Sequence, residues 1–171
     1  SGTALALARA ASQSGARSTT ATTRSWLAGV EAQALAAVHD IKACFAALRR
    51  AETAIGQARP EEDPPWMYRF DQRRLAALAG GCYRQLGKTA AAERTLQEAL
   101  AALGPACTRR RSEALLELAL VQVQKEDIDE ACRCASQSYT AALQVGSMLG
   151  QRRAAGSRGR AVGSQRGSRG S

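Results

Sequence analysis

Apolar and small residues recur along this chain with the period of amphipathic α-helices. One stripe occupies positions 75, 78, 79, 82, 83 and 86, and a second occupies positions 92, 96, 99, 100 and 103. Gly87, between them, provides the left-handed stop that helix C-termini favour, and Gly104-Pro105 closes the second stripe. The pattern predicts two antiparallel helices that pack on each other.

The same period predicts a helical hairpin on each side of this pair. Before it, two stripes over 26–38 and 41–55 are separated by His39-Asp40. After it, a stripe over 115–123 and a buried stripe at 128, 131, 132, 135, 139, 142 and 143 are separated by a charged turn. Asp63 before Pro64-Pro65 predicts a helix that starts near Trp66 and continues through Leu86.

Composition indicates an all-α protein. Alanine is abundant, whereas the aromatic residues that sheets favour make up only 4% of the chain. No apolar run approaches the roughly 18 residues of a transmembrane helix, and the first residues lack the apolar region of a secretory signal. Five cysteines, an odd number, argue against a disulfide framework. We expect a reduced, cytoplasmic protein that does not enter a membrane.

The net charge of +9 belongs to the two ends of the chain. Residues 1–25 carry three arginines and residues 151–171 carry six, both without acids, so residues 26–150 hold 15 basic and 15 acidic residues. The range 151–171 is dominated by Arg, Gly and Ser and predicts a disordered tail. Because such ends can contact phosphates non-specifically, a nucleic-acid-binding protein acting through basic tails is one alternative function.

Small residues mark a repeat. Ala or Cys occurs at positions 4, 44, 92 and 131, each followed by an apolar residue after four positions and a small residue after a further three. Together with Ala79-Gly80-x2-Tyr83, this spacing resembles the tetratricopeptide repeat (TPR), W-x2-L-G-x2-Y…A-x3-F…P. The resemblance implies a TPR-like solenoid of about three helical hairpins over 26–150. Residues 1–11 would be the second helix of an upstream repeat, and residues 12–25 a polar linker.

Two longer runs, DPPWMYRFDQRRLAALAGGCYRQLG (63–87) and TRRRSEALLELALVQVQKEDIDEACRCA (108–135), resemble the C-terminal repeats of actinobacterial regulators with an Xre-type helix-turn-helix. The resemblance covers about residues 3–147. It departs at Glu126, where a turn Gly is usual, and after about residue 147, where a basic closing helix is replaced by the tail. It implies an upstream DNA-binding domain and a repeat region that binds a peptide, a partner protein or a second copy of itself. A TPR scaffold without a regulatory role is a further alternative.

The first helices of TPR hairpins line a groove that binds peptides or partner helices. In this chain the candidate partner-binding positions are Arg74, Ala77, Gly81, Arg84 and Gln85, with Arg109 and Arg111 at the start of the next first helix. Arginines are unfavourable at a helix N-terminus, which attracts acids, and such a choice can mark a binding function. The alternative is that these arginines are solvated surface residues.

Neither a metal site nor a catalytic site is predicted. Cys132 and Cys134 form a Cys-x-Cys pair, but no second ligand pair accompanies them, and His39 is the only histidine. A Cys–His nucleophile would also need a third residue to orient the base, and none is indicated. We therefore expect a protein that is not an enzyme and that uses no cofactor.

Overall fold

The computed structural model describes residues 19–67, 70–104 and 107–146, together with positions 3, 6 and 10. Apart from short 3-10 turns, the secondary structure of this part of the chain is α-helical, which confirms the predicted all-α class. The helices are α1 (Ala21–Ala37), α2 (Ile41–Ile55), α3 (Gln72–Gln85), α4 (Thr89–Ala102), α5 (Thr108–Gln124) and α6 (128–146).

Side-chain caps fix the starts of four helices, including α6, where Asp127 Oδ1 accepts a hydrogen bond from the Glu130 backbone N–H at 3.1 Å. Thr20 Oγ1 accepts a hydrogen bond from the Thr23 backbone N–H at 3.3 Å, and Asp40 and Asp71 make the equivalent bonds at the starts of α2 and α3. Each bond satisfies one backbone N–H that the first turn leaves without a helical partner, and a cap of this kind is worth about 1 kcal/mol. These residues therefore decide where the helices begin.

The predicted boundary of the linker is wrong. Helix α1 begins at Ala21, five residues before Trp26, so residues 21–25 are helical. They are polar in sequence but largely buried: Ser25 Oγ donates a hydrogen bond to the Ala51 carbonyl at 2.8 Å, and Thr22 Oγ1 donates to Asp63 Oδ2 at 2.6 Å. Because partners far along the chain satisfy these hydroxyls, a Ser/Thr-rich stretch can enter the core.

The predicted long helix from Trp66 to Leu86 is also wrong. The segment after α2 forms two short 3-10 turns, Pro60–Glu62 and Pro65–Met67, and α3 starts only at Gln72. Asp71, not Asp63, is the cap of that helix. A second proline-rich turn thus replaces the expected first helical turns.

The helices pack in a regular order. Helices α1 and α2 form one hairpin and α3 and α4 the next; α1 also contacts α3, and α3 contacts α5. The contact between α3 and α4 is close at Gly80, where an added Cβ would lie 2.6 Å from Leu96 Cγ. Small residues such as Cys44 and Ala92 are fully buried at the repeat positions identified in the sequence. Small side chains therefore set the spacing between helices.

Helix α6 does not bury the stripe that the sequence predicts. Its buried residues are Ala131, Cys134, Ser138 and Ala141, whereas Ile128, Tyr139 and Leu143 of the predicted stripe are exposed. Ser138 Oγ donates a hydrogen bond to the Ser112 carbonyl at 2.8 Å, which holds a polar residue against α5. The expected register is therefore wrong for this helix.

The ends of the chain are described only in part. Positions 3, 6 and 10 are helical. The remainder of the predicted helix over 1–11, positions 12–18 of the predicted linker and the predicted tail over 151–171 lie outside the described residues.

Candidate partner-binding surface

Helices α3 and α5 lie side by side and are joined by two ion pairs. Arg74 Nη1 on α3 bonds Glu113 Oε2 on α5, and Arg84 Nε on α3 bonds Glu117 Oε2 at 2.7 Å. Arg74 and Arg84, both predicted from the sequence, therefore share one surface with Glu113 and Glu117, which were not predicted as part of the site. We call the surface formed by these residues and by Ala77, Gly81, Gln85, Arg109 and Arg110 the α3–α5 surface.

The start of α5 belongs to the same surface. Arg109 Nε bonds Glu113 Oε1 at 3.2 Å, so Glu113 joins Arg109 to Arg74. Arg110, which was not predicted, donates to Asp71 Oδ2 at 2.7 Å. Arg111 is exposed on the first turn of α5. The structure thus brings Arg74, Arg84 and Arg109 together with acids. Arg111 lies two residues before Glu113 and therefore on a different face of α5, so its prediction as part of the same site is wrong.

The smaller predicted residues lie between these ion pairs. Gly81 is partly exposed, and an added Cβ there would lie 3.5 Å from the Glu117 carboxylate, so that carboxylate lies over the glycine. Ala77 is partly exposed and Gln85 is exposed. The acids Glu113 and Glu117 are four residues apart on α5, a spacing that places them on one helix face and is the sequence signal that could have identified them.

Asp71 is held in its charged form. Burial acts to raise the pKa of its carboxyl, but hydrogen bonds from the Arg74 backbone N–H and the Arg110 guanidinium outweigh this effect, and the pKa lies below the usual value. Asp71 is therefore an anion at neutral pH and links the start of α3 to the start of α5.

The α3–α5 surface has an excess of positive charge although the helical body as a whole is neutral. Four of its arginines pair with three acids, Asp71, Glu113 and Glu117, and Arg73 adds a further positive charge near Asp71. The pairs that neutralise part of this charge are open to solvent to different degrees: the Arg74 side chain is 43% exposed and the Arg84 side chain 18%. Solvent-exposed pairs contribute about 0–1 kcal/mol, so a carboxylate from another molecule can replace Glu113 at little cost, whereas replacing Glu117 at the less exposed Arg84 costs more.

A second arginine-lined region, a shallow groove of about 590 Å³ between α1 and α2, was not predicted. Arg24, Arg49 and Arg50 line it, and Arg50 Nη2 bonds Glu31 Oε2 at 2.7 Å. It lies on a different pair of helices from the predicted positions. Its arginines therefore provide a comparison for the arginines of the α3–α5 surface.

The cysteines do not form a cluster of ligands. Cys132 is exposed and Cys134 is buried, so the two thiols of the Cys-x-Cys pair differ in their environment. Burial raises the pKa of the Cys134 thiol and of the Cys44 and Cys82 thiols, which keeps all three protonated at neutral pH. Within residues 19–67, 70–104 and 107–146, no group of three or more His, Cys, Asp or Glu side chains is placed to hold a metal ion.

Comparison with known proteins adds no assignment. No protein-family model, curated protein or solved structure matches the chain. Among the helices of the described part, none is both long enough and apolar enough to cross a membrane. The resemblance to TPR-containing regulators stays a prediction.

Proposed function

We propose that this chain is the TPR-like interaction module of a bacterial transcriptional regulator and that its α3–α5 surface binds an acidic segment of a peptide or partner protein. The order of helix contacts supports the repeat architecture, because α1, α3 and α5 are successive neighbours and each begins a hairpin. Serial packing of this kind is typical of helical solenoids, which bind partners along the surface of their first helices.

The observation that carries the proposal is the positive excess of the α3–α5 surface within a neutral body. Arginines recognise carboxylates through fixed, often bidentate hydrogen bonds, and Arg74 and Arg84 already bind carboxylates from α5. An acidic partner would take over these arginines from Glu113 and Glu117.

Such an exchange also provides a mechanism for regulation. The Arg74–Glu113 and Arg84–Glu117 pairs connect α3 with α5 and thus one hairpin with the next. A partner that replaces Glu113 and Glu117 would favour a different arrangement of the two hairpins, and this preference would be passed to a DNA-binding domain upstream. The regulator would act in the cytoplasm, where its free cysteines stay reduced.

Fluorescence anisotropy with a labelled acidic peptide tests the proposal. The protein is a full chain in which the six arginines of 151–171 are replaced by glutamine, so that the basic tail does not bind the probe. We expect this protein to bind an Asp/Glu-rich peptide and not the matching Asn/Gln peptide. Arg74→Gln with Arg84→Gln should weaken binding at least tenfold, and Arg49→Gln should not. Equal binding by the double variant would contradict the proposal.

The charge distribution also favours a second function, non-specific binding of nucleic acid by the basic ends. Nine arginines and no acids occupy 1–25 and 151–171. The full chain should then bind a labelled DNA duplex at low salt and lose it at moderate salt, because such binding releases counterions. The same six Arg→Gln changes should remove most of this binding. If they leave it unchanged, the tail is not the nucleic-acid-binding element.

A further inference from the structure

Helix α5 carries an exposed apolar stripe that its contacts within the chain do not use. Leu116, Leu120 and Val123 follow the i, i+4, i+7 spacing and are between 39% and 52% exposed. The other faces of α5 are occupied: Leu118 and Val121 pack in the cluster with α4, and Glu117 faces α3. The stripe is thus a separate face of the helix.

Helix α6 carries a matching stripe. Ile128, Tyr139 and Leu143 are between 56% and 67% exposed, and the exposed residues Cys132, Ala135 and Ala142 fall on the same helix face. Helix α6 contacts α5 through Ser138 and the α4–α5 cluster through Cys134. By helical geometry, the exposed stripe lies on the α5 side of this contact and away from α4.

The two stripes adjoin and form one apolar surface at the end of the helix array. On α5 the stripe lies next to Ser112, the residue that contacts α6, and on the opposite side from Leu118, which packs toward α4. Both stripes therefore lie on the side of the α5–α6 contact that faces away from α4. We call this surface the end face; its large residues are Leu116, Leu120, Val123, Ile128, Tyr139 and Leu143. Large contiguous apolar surfaces that are exposed to water commonly mark interaction sites.

Residues 147–171, which follow α6, lack the sequence pattern of an amphipathic helix that could cover the end face. Residues 147–171 contain only three large apolar residues, Met148, Leu149 and Val162, and are otherwise dominated by Arg, Gly, Ser and Ala. An amphipathic helix that covered both stripes would need an apolar residue about every third or fourth position. The sequence of residues 147–171 does not have that spacing.

The charges around the α5 stripe are arranged to fit a second copy. Arg109, with a side chain 70% exposed, lies seven residues before Leu116 and therefore on the same stripe. At the opposite end of the stripe, Glu126, Asp127 and Asp129 are exposed in the turn before α6 and at its start. One end thus presents the Arg109 guanidinium, which also bonds Glu113 of its own chain, and the other end is acidic. Two antiparallel copies of the stripe would place the basic end of each against the acidic end of the other.

We propose that the end face mediates a two-fold symmetric homodimer in which the α5 helices of two copies pack antiparallel. Leu116 of each copy would contact Leu120 of the other, and Arg109 would lie beside the partner's acidic turn. A two-fold axis makes such contacts self-complementary and closes the assembly at two copies. The proposal goes beyond the α3–α5 surface, because none of the apolar residues of the end face belongs to that surface. Arg109, which bonds Glu113, is the residue that the two surfaces share.

The size of the end face is consistent with a dimer. Its six large side chains are between 39% and 67% exposed, so their complete burial would remove at most about 600 Å² per copy, against roughly 800 Å² per partner in a standard interface. Arg109 and the small residues between the stripes would contribute the remainder. The dimer should therefore be specific and of moderate affinity.

Sedimentation-equilibrium ultracentrifugation of the full chain over a range of concentrations tests the proposal. We expect a monomer–dimer equilibrium for the wild type. Leu116→Glu with Leu120→Glu should weaken it at least tenfold, because both copies would bring carboxylates into an apolar contact. Ala101→Glu, at an exposed position on α4, is the control and should leave it unchanged. Circular dichroism checks that each variant is folded.

A charge-reversal pair tests the antiparallel arrangement. Arg109→Glu and Glu126→Lys should each weaken the dimer, and the double variant should restore it, because the two positions face each other across the axis. Glu126 is chosen because Asp127 caps α6. A wild type that is monomeric at every concentration, or a dimer that tolerates the Leu→Glu changes, would overturn the proposal and assign the end face to a different protein. Arg74→Gln with Arg84→Gln should leave the dimer intact, so this test is separate from the test of peptide binding.

Discussion

The two adjacent glycines of α3 should respond in opposite directions to the same substitution. Replacing Gly by Ala inside a helix normally stabilises a protein by about 0.5–1 kcal/mol, since alanine loses less backbone entropy. At Gly80 the new Cβ would lie 2.6 Å from Leu96 Cγ and 2.7 Å from Leu96 Cδ2. Leu96 is fully buried and has little room to move, and overpacking of this kind costs about 1–3 kcal/mol.

The net expectation for Gly80→Ala is a loss of about 1–2 kcal/mol, the clash less the helical gain. Gly81→Ala is the matched control, because its Cβ would meet the Glu117 carboxylate at 3.5 Å, an ordinary contact. We expect that variant to gain about 0.5 kcal/mol.

Urea unfolding followed by circular dichroism gives both free energies. In thermal unfolding, each kcal/mol should shift the midpoint by roughly 2–4 °C for a chain of this size. If Gly80→Ala proved as stable as Gly81→Ala, the close packing of α3 on α4 would be refuted.

Three further changes test other parts of the structure. Asp71→Ala should cost about 1–2 kcal/mol at neutral pH, because it removes the α3 cap and the bond to Arg110. The folded-state pKa of Asp71 lies below its unfolded value, so its charge stabilises the fold above about pH 4, and this stabilisation is lost as the pH falls further. If wild type and Asp71→Ala differed by the same unfolding free energy at pH 7 and at pH 3, this expectation would be contradicted. Glu126→Gly should stabilise by about 1 kcal/mol, because Glu126 has a φ of 64°, and an unchanged urea midpoint would argue against that strain. In the native protein, iodoacetamide should modify exposed Cys132 and spare buried Cys82, because burial raises the pKa of the Cys82 thiol. Peptide mass spectrometry measures the modification of each cysteine, and equal labelling of the two would contradict the burial of Cys82.

The helices could be predicted from the sequence wherever one apolar stripe faces one neighbour. The pattern around Leu75–Leu86 and Ala92–Leu103 indicated α3 and α4 because the residues that repeat at helical spacing are those that meet in the hairpin. Gly87 was expected to be left-handed, and its φ of 69° confirms this.

The start of α1 and the face of α6 could not be predicted, because both depend on partners distant in sequence. Thr22 is buried through a hydrogen bond to Asp63, and Ser138 through a hydrogen bond to Ser112. Periodicity alone assigns hydroxyl residues to the surface and apolar residues to the core. On α6 the apolar period marks Tyr139, which is exposed, whereas the small-residue spacing of the repeat marks Ser138, which is buried.

The candidate site was predicted in part. The sequence placed Arg74, Gly81 and Arg84 on one face of α3, and the structure has them beside α5. It did not assign Glu113 and Glu117 to the same surface, because their pairing depends on how α3 and α5 are aligned. That alignment is set by the packing of complete helices, which no local pattern encodes.

Selection of a random peptide library on the tail-substituted chain tests the central claim most directly, because it makes no assumption about the partner. We expect the recovered peptides to be enriched in Asp and Glu. We also expect them to lose binding to the chain that carries Arg74→Gln and Arg84→Gln. They should keep binding to the chain carrying Arg49→Gln. Peptides without acidic residues that bind the double variant as well as the parent would contradict the account, and so would a selection that recovers no binder.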